Sequence, residues 1–170
     1  MTRNYFPRGQ VFSADILLSM VVFTLILALT SGLLTNIQDS GESSRKNAYL
    51  SSQAEETLFL LVSSGGNPSY WESLADRNGV VTIGLMNPPG SISSTKWNAL
   101  QDWNASDYPS LKNALGVPDT DVYITIFDAE RNPVSAWGIS PADSNRVGAV
   151  SIPTRYNGAI AIIQVQVHES

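Results

Sequence analysis

No charged side chain occurs between Asp15 and Asp39, and the chain changes character on either side of that interval. Ile16 to Leu34 is a run of 19 residues, apolar except for small hydroxyls and one glycine. At a rise of 1.5 Å per residue it makes roughly 28 Å of helix, close to the hydrocarbon thickness of a bilayer. The hydroxyls of Ser19, Thr24, Thr30 and Ser31 can bond back to the preceding turn, so they cost little in lipid. Past Leu34 the chain turns polar, and helix formers dominate after Gly41. Tyr49, Ala54, Leu58, Leu61 and Val62 approximate a stripe of period 3.6. Gly65-Gly66 and then Pro68 end the pattern. The spacing predicts one helix from the apolar run to about Ser63, with Gly32 and Gly41 as the places where a bend is cheapest.

Beyond Asn67 short alternating runs take over. Val80–Ile83 reads as a strand ending at Gly84, Ser91–Trp103 as a short helix with Trp97 and Leu100 on one face, and Pro109–Leu115 as another helix stopped by Gly116. Val122–Phe127 is a strand, the segment from Asp128 to Pro133 a turn, and Val134–Ile139 its partner. Asn157-Gly158 is the strongest hairpin signal, joining Ala149–Tyr156 to Ala159–Val167. In the last strand Ile163, Val165 and Val167 alternate with Gln164, Gln166 and His168, giving one buried and one wet face. The expected fold class is α+β: a long N-terminal helix packed against a small antiparallel β-sheet head. The 170 residues allow one compact domain plus an appendage. The divisions are a basic leader (1–9), a transmembrane or assembly helix (10–34), its amphipathic continuation (35–64) and an extracytoplasmic head (65–170).

Charge and composition narrow the function classes. Net charge is −5, with the basic residues scattered. A phosphate-binding surface gathers Lys and Arg on one face, so nucleic acid is not expected as the main partner. The chain has no cysteine, which removes disulfides, thiolate ligands and a lipidated cysteine anchor. His168 is the only histidine, read here as a surface residue on a polar strand face without partners for a triad or zinc site. Glu55 and Glu56 are adjacent on a helix, pointing about 100° apart, and cannot pair. Asp119, Asp121, Asp128 and Glu130 lack EF-hand spacing and read as solvated loop acids rather than a calcium site. No catalytic residue, cofactor or metal is therefore expected. Asn104-Ala105-Ser106 is a glycosylation sequon in an expected loop, making Asn104 a candidate acceptor.

The first ten residues carry Arg3 and Arg8 and no acid, and the large acidic part follows the span, so the positive-inside rule puts the N-terminus in the cytoplasm and the head outside. Three processing fates fit. An ordinary signal peptide would be cut near Ala28-Leu29-Thr30 or Thr30-Ser31-Gly32, and a plain anchor would stay intact. The third fate is cleavage at Arg8-Gly9-Gln10, which leaves the apolar helix on the mature chain. Asp15 favours the third: an acid within the first turns of a span is costly and calls for a partner. The other reading of Asp15 is an acid snorkelling at the membrane edge, and of Gly9-Gln10 an unstructured tail before an anchor.

Arg8-Gly9-Gln10 followed by Phe12, Ser13, Asp15 and a Leu/Ile/Val run resembles the class III (prepilin-type) signal peptide of archaeal type IV pilins. The resemblance implies a prepilin peptidase that cuts after Gly9 and leaves Gln10 first. It also implies that Asp15 neutralises the new amino group of a neighbouring subunit during assembly. Counting from Gln10, Asp15 is the sixth mature residue, where the family's acid is most often the fifth and a glutamate. The likeness continues at Gly66-Asn67-Pro68-Ser69-Tyr70-Trp71-Glu72, similar to the glycine-proline-tryptophan corner of some archaeal pilin-like proteins. Ile83-Gly84-Leu85, a serine before Lys96, and Tyr123 then follow in similar order. Read on its own residues, Trp71 is a buried side chain covering the helix end rather than a stacking platform. The expected function is a structural subunit, major or minor, of a cell-surface pilus for adhesion, with prepilin peptidase, other pilin subunits and the membrane as partners. The alternative is a single-pass, membrane-anchored binding module or adhesin that does not polymerise. A secreted enzyme has no residues to carry it.

Overall fold

The computed structural model describes the backbone of residues 8–87 and 89–169, and the side chains of 14–31, 41–87 and 89–169. The chain divides into two compact units, Met1–Ser44 and Arg45–Ser170. One helix, α1, runs Arg8–Ser63, and it stays α-helical through Gly32 and Gly41, the two expected bend points. It ends where Gly65-Gly66 was expected to stop it.

In the first unit, Ala14–Ser31 is a helix long and apolar enough to cross a membrane. Three of the four expected hydroxyls bond back along the helix: Thr24 donates to Met20 O at 2.7 Å, Thr30 to Ile26 O at 2.9 Å and Ser31 to Leu27 O at 2.8 Å. These three hydroxyls are satisfied by the helix itself, with no need of water.

The second unit is α+β. The two-residue strands β1 (Gly66–Asn67) and β2 (Thr82–Ile83) pair antiparallel. Strand β3 (Ser91–Ile92) precedes helices α2 (Ser94–Ser106) and α3 (Tyr108–Ala114). Ser93 caps α2 by accepting from Lys96 N, and Asp107 caps α3 by accepting from Ser110 N. Strands β4 (Asp121–Phe127), β5 (Pro133–Gly138), β6 (Val147–Tyr156) and β7 (Ala159–His168) complete a five-stranded sheet in the order β3-β6-β7-β4-β5. The hairpins at 127–133 and 156–159 fall where the turn residues put them. Asn157 and Gly158 both take positive φ, at 51° and 81°, as a two-residue type I′ turn demands.

Two expectations need correction. The sheet is mixed, not antiparallel, because β3 pairs parallel to the end of β6 through Ser91↔Arg155 and Ile92↔Tyr156. A two-residue strand made by long-range pairing leaves no periodicity to read. The helix stripe holds at Ala54, Leu58, Leu61 and, partly buried, Val62, but its first member is Leu50 and not Tyr49. Leu50, Ala54, Leu58 and Leu61 are buried, while Tyr49 is 57% exposed. Each buried leucine contributes about 1.5–3 kcal/mol. These four meet Val122, Ile124 and Ile126 of β4 and Ala161, Ile163, Val165 and Val167 of β7 in one core, with Trp97, Leu100 and Trp103 from α2. The helix comes so close to β6 that a Cβ on Gly148 would lie 2.3 Å from the Leu50 carbonyl carbon.

Candidate functional site

Three places bear on function: the apolar surface of the first unit, the corner after α1, and the exposed face of α1 beyond Arg45. In the first, eleven large apolar side chains between Ile16 and Leu29 stand 47–68% exposed. Such a contiguous patch marks a surface that lipid or protein covers. Asp15 is exposed one residue into this span. Arg8, Gly9 and Gln10 belong to α1, but their side chains lie outside the described residues, as does all of 1–7.

At the corner the chain must leave a helix whose last carbonyls have no intrahelical partner. The segment after β2 supplies donors: Leu85 N bonds Leu61 O at 2.7 Å and Met86 N bonds Ser64 O at 3.1 Å. Gly66 turns the chain at φ +90°, and a Cβ there would sit 2.6 Å from Trp71 Cδ1, so Gly66 serves both conformation and contact. The Asn67–Pro68 bond is cis. Trp71 is fully buried, donates Nε1–H to Gly84 O at 3.0 Å, and lies 6.3 Å from the Trp103 ring. Its ring and its donor are both used within the fold. Trp71 covers the helix end.

Lys96 holds the corner from beneath. Its side chain is 1% exposed, and Nζ donates to Gly65 O and Ser69 O and pairs with Glu72 Oε2 at 3.1 Å. The two carbonyls accept from the ammonium, while Glu72 Oε2 faces it as a counter-charge without an aligned hydrogen bond. Nζ also sits 5.6 Å from the Trp71 ring centre. The serine before Lys96 is visible in the sequence, but the burial of the lysine's charge is not. Its only signal is a lysine placed directly beside the core residue Trp97.

His168 is not a surface residue. It is 2% exposed, with Nδ1 2.8 Å from Ser144 Oγ and Nε2 2.9 Å from Ile139 O. The β7 register carries it opposite Asp121 and Val147, beside the 3-10 turn Pro141–Asp143, and the polar alternation of the strand ends there. A serine on an imidazole suggests a nucleophile and its base. Ser144 N–H, however, is committed to Pro141 O at 3.0 Å, and the hydroxyl also reaches Glu169 O at 3.2 Å. The pair ties the end of β7 to this turn.

The loop acids do not gather. Asp121 opens β4 and Asp128 directly follows its end, which sets them roughly 23 Å apart at about 3.3 Å per residue. Asp121 takes Tyr108 OH at 3.1 Å and Lys112 Nζ at 3.2 Å. Asp128 accepts from Asn132 N and Nδ2, which hold its carboxyl below the usual carboxylate range. Among the described residues no three His, Cys, Asp or Glu side chains could hold a metal ion. Tyr108 OH accepts from Val122 N and is pushed up to about 12, by burial first and then by the Asp121 charge. Asn104 is half-buried in the last turn of α2, not in a loop.

On the exposed side of α1, Glu55, Glu56, Leu58, Phe59 and Val62 form an open groove of about 470 Å³ with Val150 and Ile152 of β6. Phe59 is 72% exposed there. No protein-family model matches the chain, and no curated protein or solved structure is significantly similar to it.

Proposed function

We propose that this chain is a structural subunit, major or minor, of an archaeal type IV pilus-like surface filament for adhesion or attachment. The observation that carries the proposal is the stem. Eleven large apolar side chains between Ile16 and Leu29 are exposed on a helix that also furnishes the buried residues Leu50, Ala54, Leu58 and Leu61 to a folded head. A subunit of this kind waits in the bilayer with its N-terminus cytoplasmic and its head outside. Prepilin peptidase cuts between Gly9 and Gln10, and the stem leaves lipid for a bundle of like stems. Close interhelical packing then supplies the specificity that apolarity alone does not. Asp15 meets the free amino group of a neighbour's Gln10, which relieves the cost of a charge at that depth. The head's role in this reading is surface contact. Replacing Asp15 by Ala tests the assembly step. The expected result is loss of surface filaments while the protein persists in the membrane. Unchanged filaments refute the role given to Asp15, and unchanged surface display without filaments in the wild type favours the anchored, non-polymerising module.

A further inference from the structure

Arg131 stands where a β-hairpin ordinarily has glycine. Asp128 N bonds Asn132 O at 3.0 Å and Arg131 N bonds Asp128 O at 3.2 Å, closing a three-residue loop, 129–131, between β4 and β5. The last residue of such a loop takes the left-handed conformation, for which glycine is the usual choice. Arg131 takes it at φ 66°, and carries the steric cost of a Cβ there. The fold draws nothing from its side chain: among the described residues the guanidinium enters no hydrogen bond or ion pair. It walls a hollow instead.

This hollow, of about 230 Å³, lies on the sheet face turned away from the core. Phe127 pairs with Ile162 across β4 and β7, and Ser151 with Gln164 across β6 and β7. Their neighbours Ile126, Ile163 and Val165 point the other way, into the core. Phe127 and Ile162 make an apolar floor, and Arg131, Ser151 and Gln164 supply hydrogen-bond donors that no group of the fold uses. Charge on this face is one-sided. Its outward residues in 123–127, 151–155 and 160–166 include no acid and one further cation, the exposed Arg155 opposite Ile160. Asp128, after β4, is taken by Asn132, and Asp121, at the far end of the strand, by Tyr108 and Lys112. Glu130 of the loop is exposed and forms no ion pair with Arg131. In a chain of net charge −5 this is a local site for an anion.

We infer that the ligand of this site is a carboxylate carried on a sugar ring, as one unit of an acidic polysaccharide. A guanidinium holds a carboxylate through two parallel hydrogen bonds. The apolar floor packs against the C–H face of a ring, and the serine hydroxyl and glutamine amide match ring hydroxyls. The hollow is smaller than the roughly 300–1,000 Å³ of a pocket that encloses a whole small molecule, so it takes one unit of a longer ligand. Gln166 and Tyr123, paired two residues further along β7, continue the neutral hydrogen-bonding groups for the next unit. A peptide strand is the poorer fit. It needs a free sheet edge, and the hollow sits over β7, whose backbone pairs with β6 on one side and β4 on the other. The inference gives the head a ligand and does not depend on how the stem assembles.

The test is isothermal titration of the full chain in detergent with oligomers of galacturonic acid and of glucuronic acid, and with the matching neutral hexose oligomers. The expected result is binding of a uronic oligomer that weakens as salt is raised, with its neutral counterpart weaker by about tenfold or more. Arg131→Gly is expected to weaken binding by about tenfold or more while the urea midpoint is unchanged or raised, because glycine accepts the left-handed turn. That variant separates lost binding from lost fold. Arg131→Lys, which keeps the charge without the fork, is expected to fall between. No binding of either uronic oligomer at millimolar concentration overturns the inference, as does binding that Arg131→Gly leaves unchanged. A glutamate oligomer that binds as tightly as the uronic ones shows that the carboxylate is read without the ring, and overturns the sugar ligand.

Discussion

Lys96→Met removes the cation beneath the corner and keeps the length of the side chain. Lys96 Nζ satisfies Gly65 O and Ser69 O and neutralises Glu72, whose side chain is 18% exposed. Breaking a buried ion pair from one side costs about 3–5 kcal/mol, because the remaining charge stays desolvated. Two carbonyls at about 1–3 kcal/mol each push the same way, relieved in part by water reaching the loop. A loss of about 3–5 kcal/mol is a large share of the 5–15 kcal/mol (roughly) that a domain has. Glu72→Gln leaves the buried Lys96 ammonium without its counter-charge but with both carbonyl acceptors, so its cost is expected at the lower end of the same range, about 3 kcal/mol. The double variant, with both charges gone, is expected to be less destabilised than the sum of the singles, with a coupling of about 1–3 kcal/mol. Urea unfolding of the full chain in detergent, followed by tryptophan fluorescence, measures all four proteins. Trp71, 5.6 Å from Nζ, reports the corner itself. If Lys96→Met costs under about 1 kcal/mol, or the costs of the two singles add, the ion pair does not hold the corner and the argument fails.

Gly148→Val drives a side chain into the Leu50 backbone, where a Cβ has only 2.3 Å. The expected loss is at or above the usual range for overpacking, about 1–3 kcal/mol, read as a lowered urea midpoint; a midpoint within experimental error contradicts the close crossing. Tyr108 keeps its proton in the folded chain up to about 12 against 10.0 for the free side chain. Between those values the unfolded chain has lost the proton and the folded one has not, so this contribution is complete below pH about 10 and is lost as pH rises toward about 12. Tyr108→Phe should flatten that alkaline decline of stability; an unchanged slope in pH-dependent unfolding assigns the decline to other groups.

The parts of this fold that announce themselves in sequence are those governed by local rules. The Asn157-Gly158 turn demands positive φ at two positions, and the alternation through Ile163, Val165 and Val167 fixes which face of β7 is buried. The end of α1 is written in Gly65-Gly66. Elements built by distant partners are silent. β1 and β3 are two residues each, defined by pairing across the chain rather than by period, whereas β2 lies within the expected strand Val80–Ile83, shortened to its last two residues. His168 misleads because its neighbours in sequence are polar, while its burial comes from Ile139 and Ser144, 29 and 24 residues away. Lys96 misleads for the same reason: its acceptors, Gly65 O and Ser69 O, and its counter-charge, Glu72, lie across the corner. Tyr49 and Leu50 show the finer limit. Both fit an apolar stripe, and only the closeness of Gly148 decides that Leu50 faces inward and Tyr49 faces out.

The central claim concerns the fate of the first nine residues, and the intact mass or N-terminal sequence of the protein from its native membranes tests it most directly. A mature chain beginning at Gln10, with the apolar stem retained, is the predicted result. A chain beginning at Met1 or Thr2 contradicts it and leaves a plain membrane anchor, and one beginning beyond Thr30 contradicts it by discarding the stem.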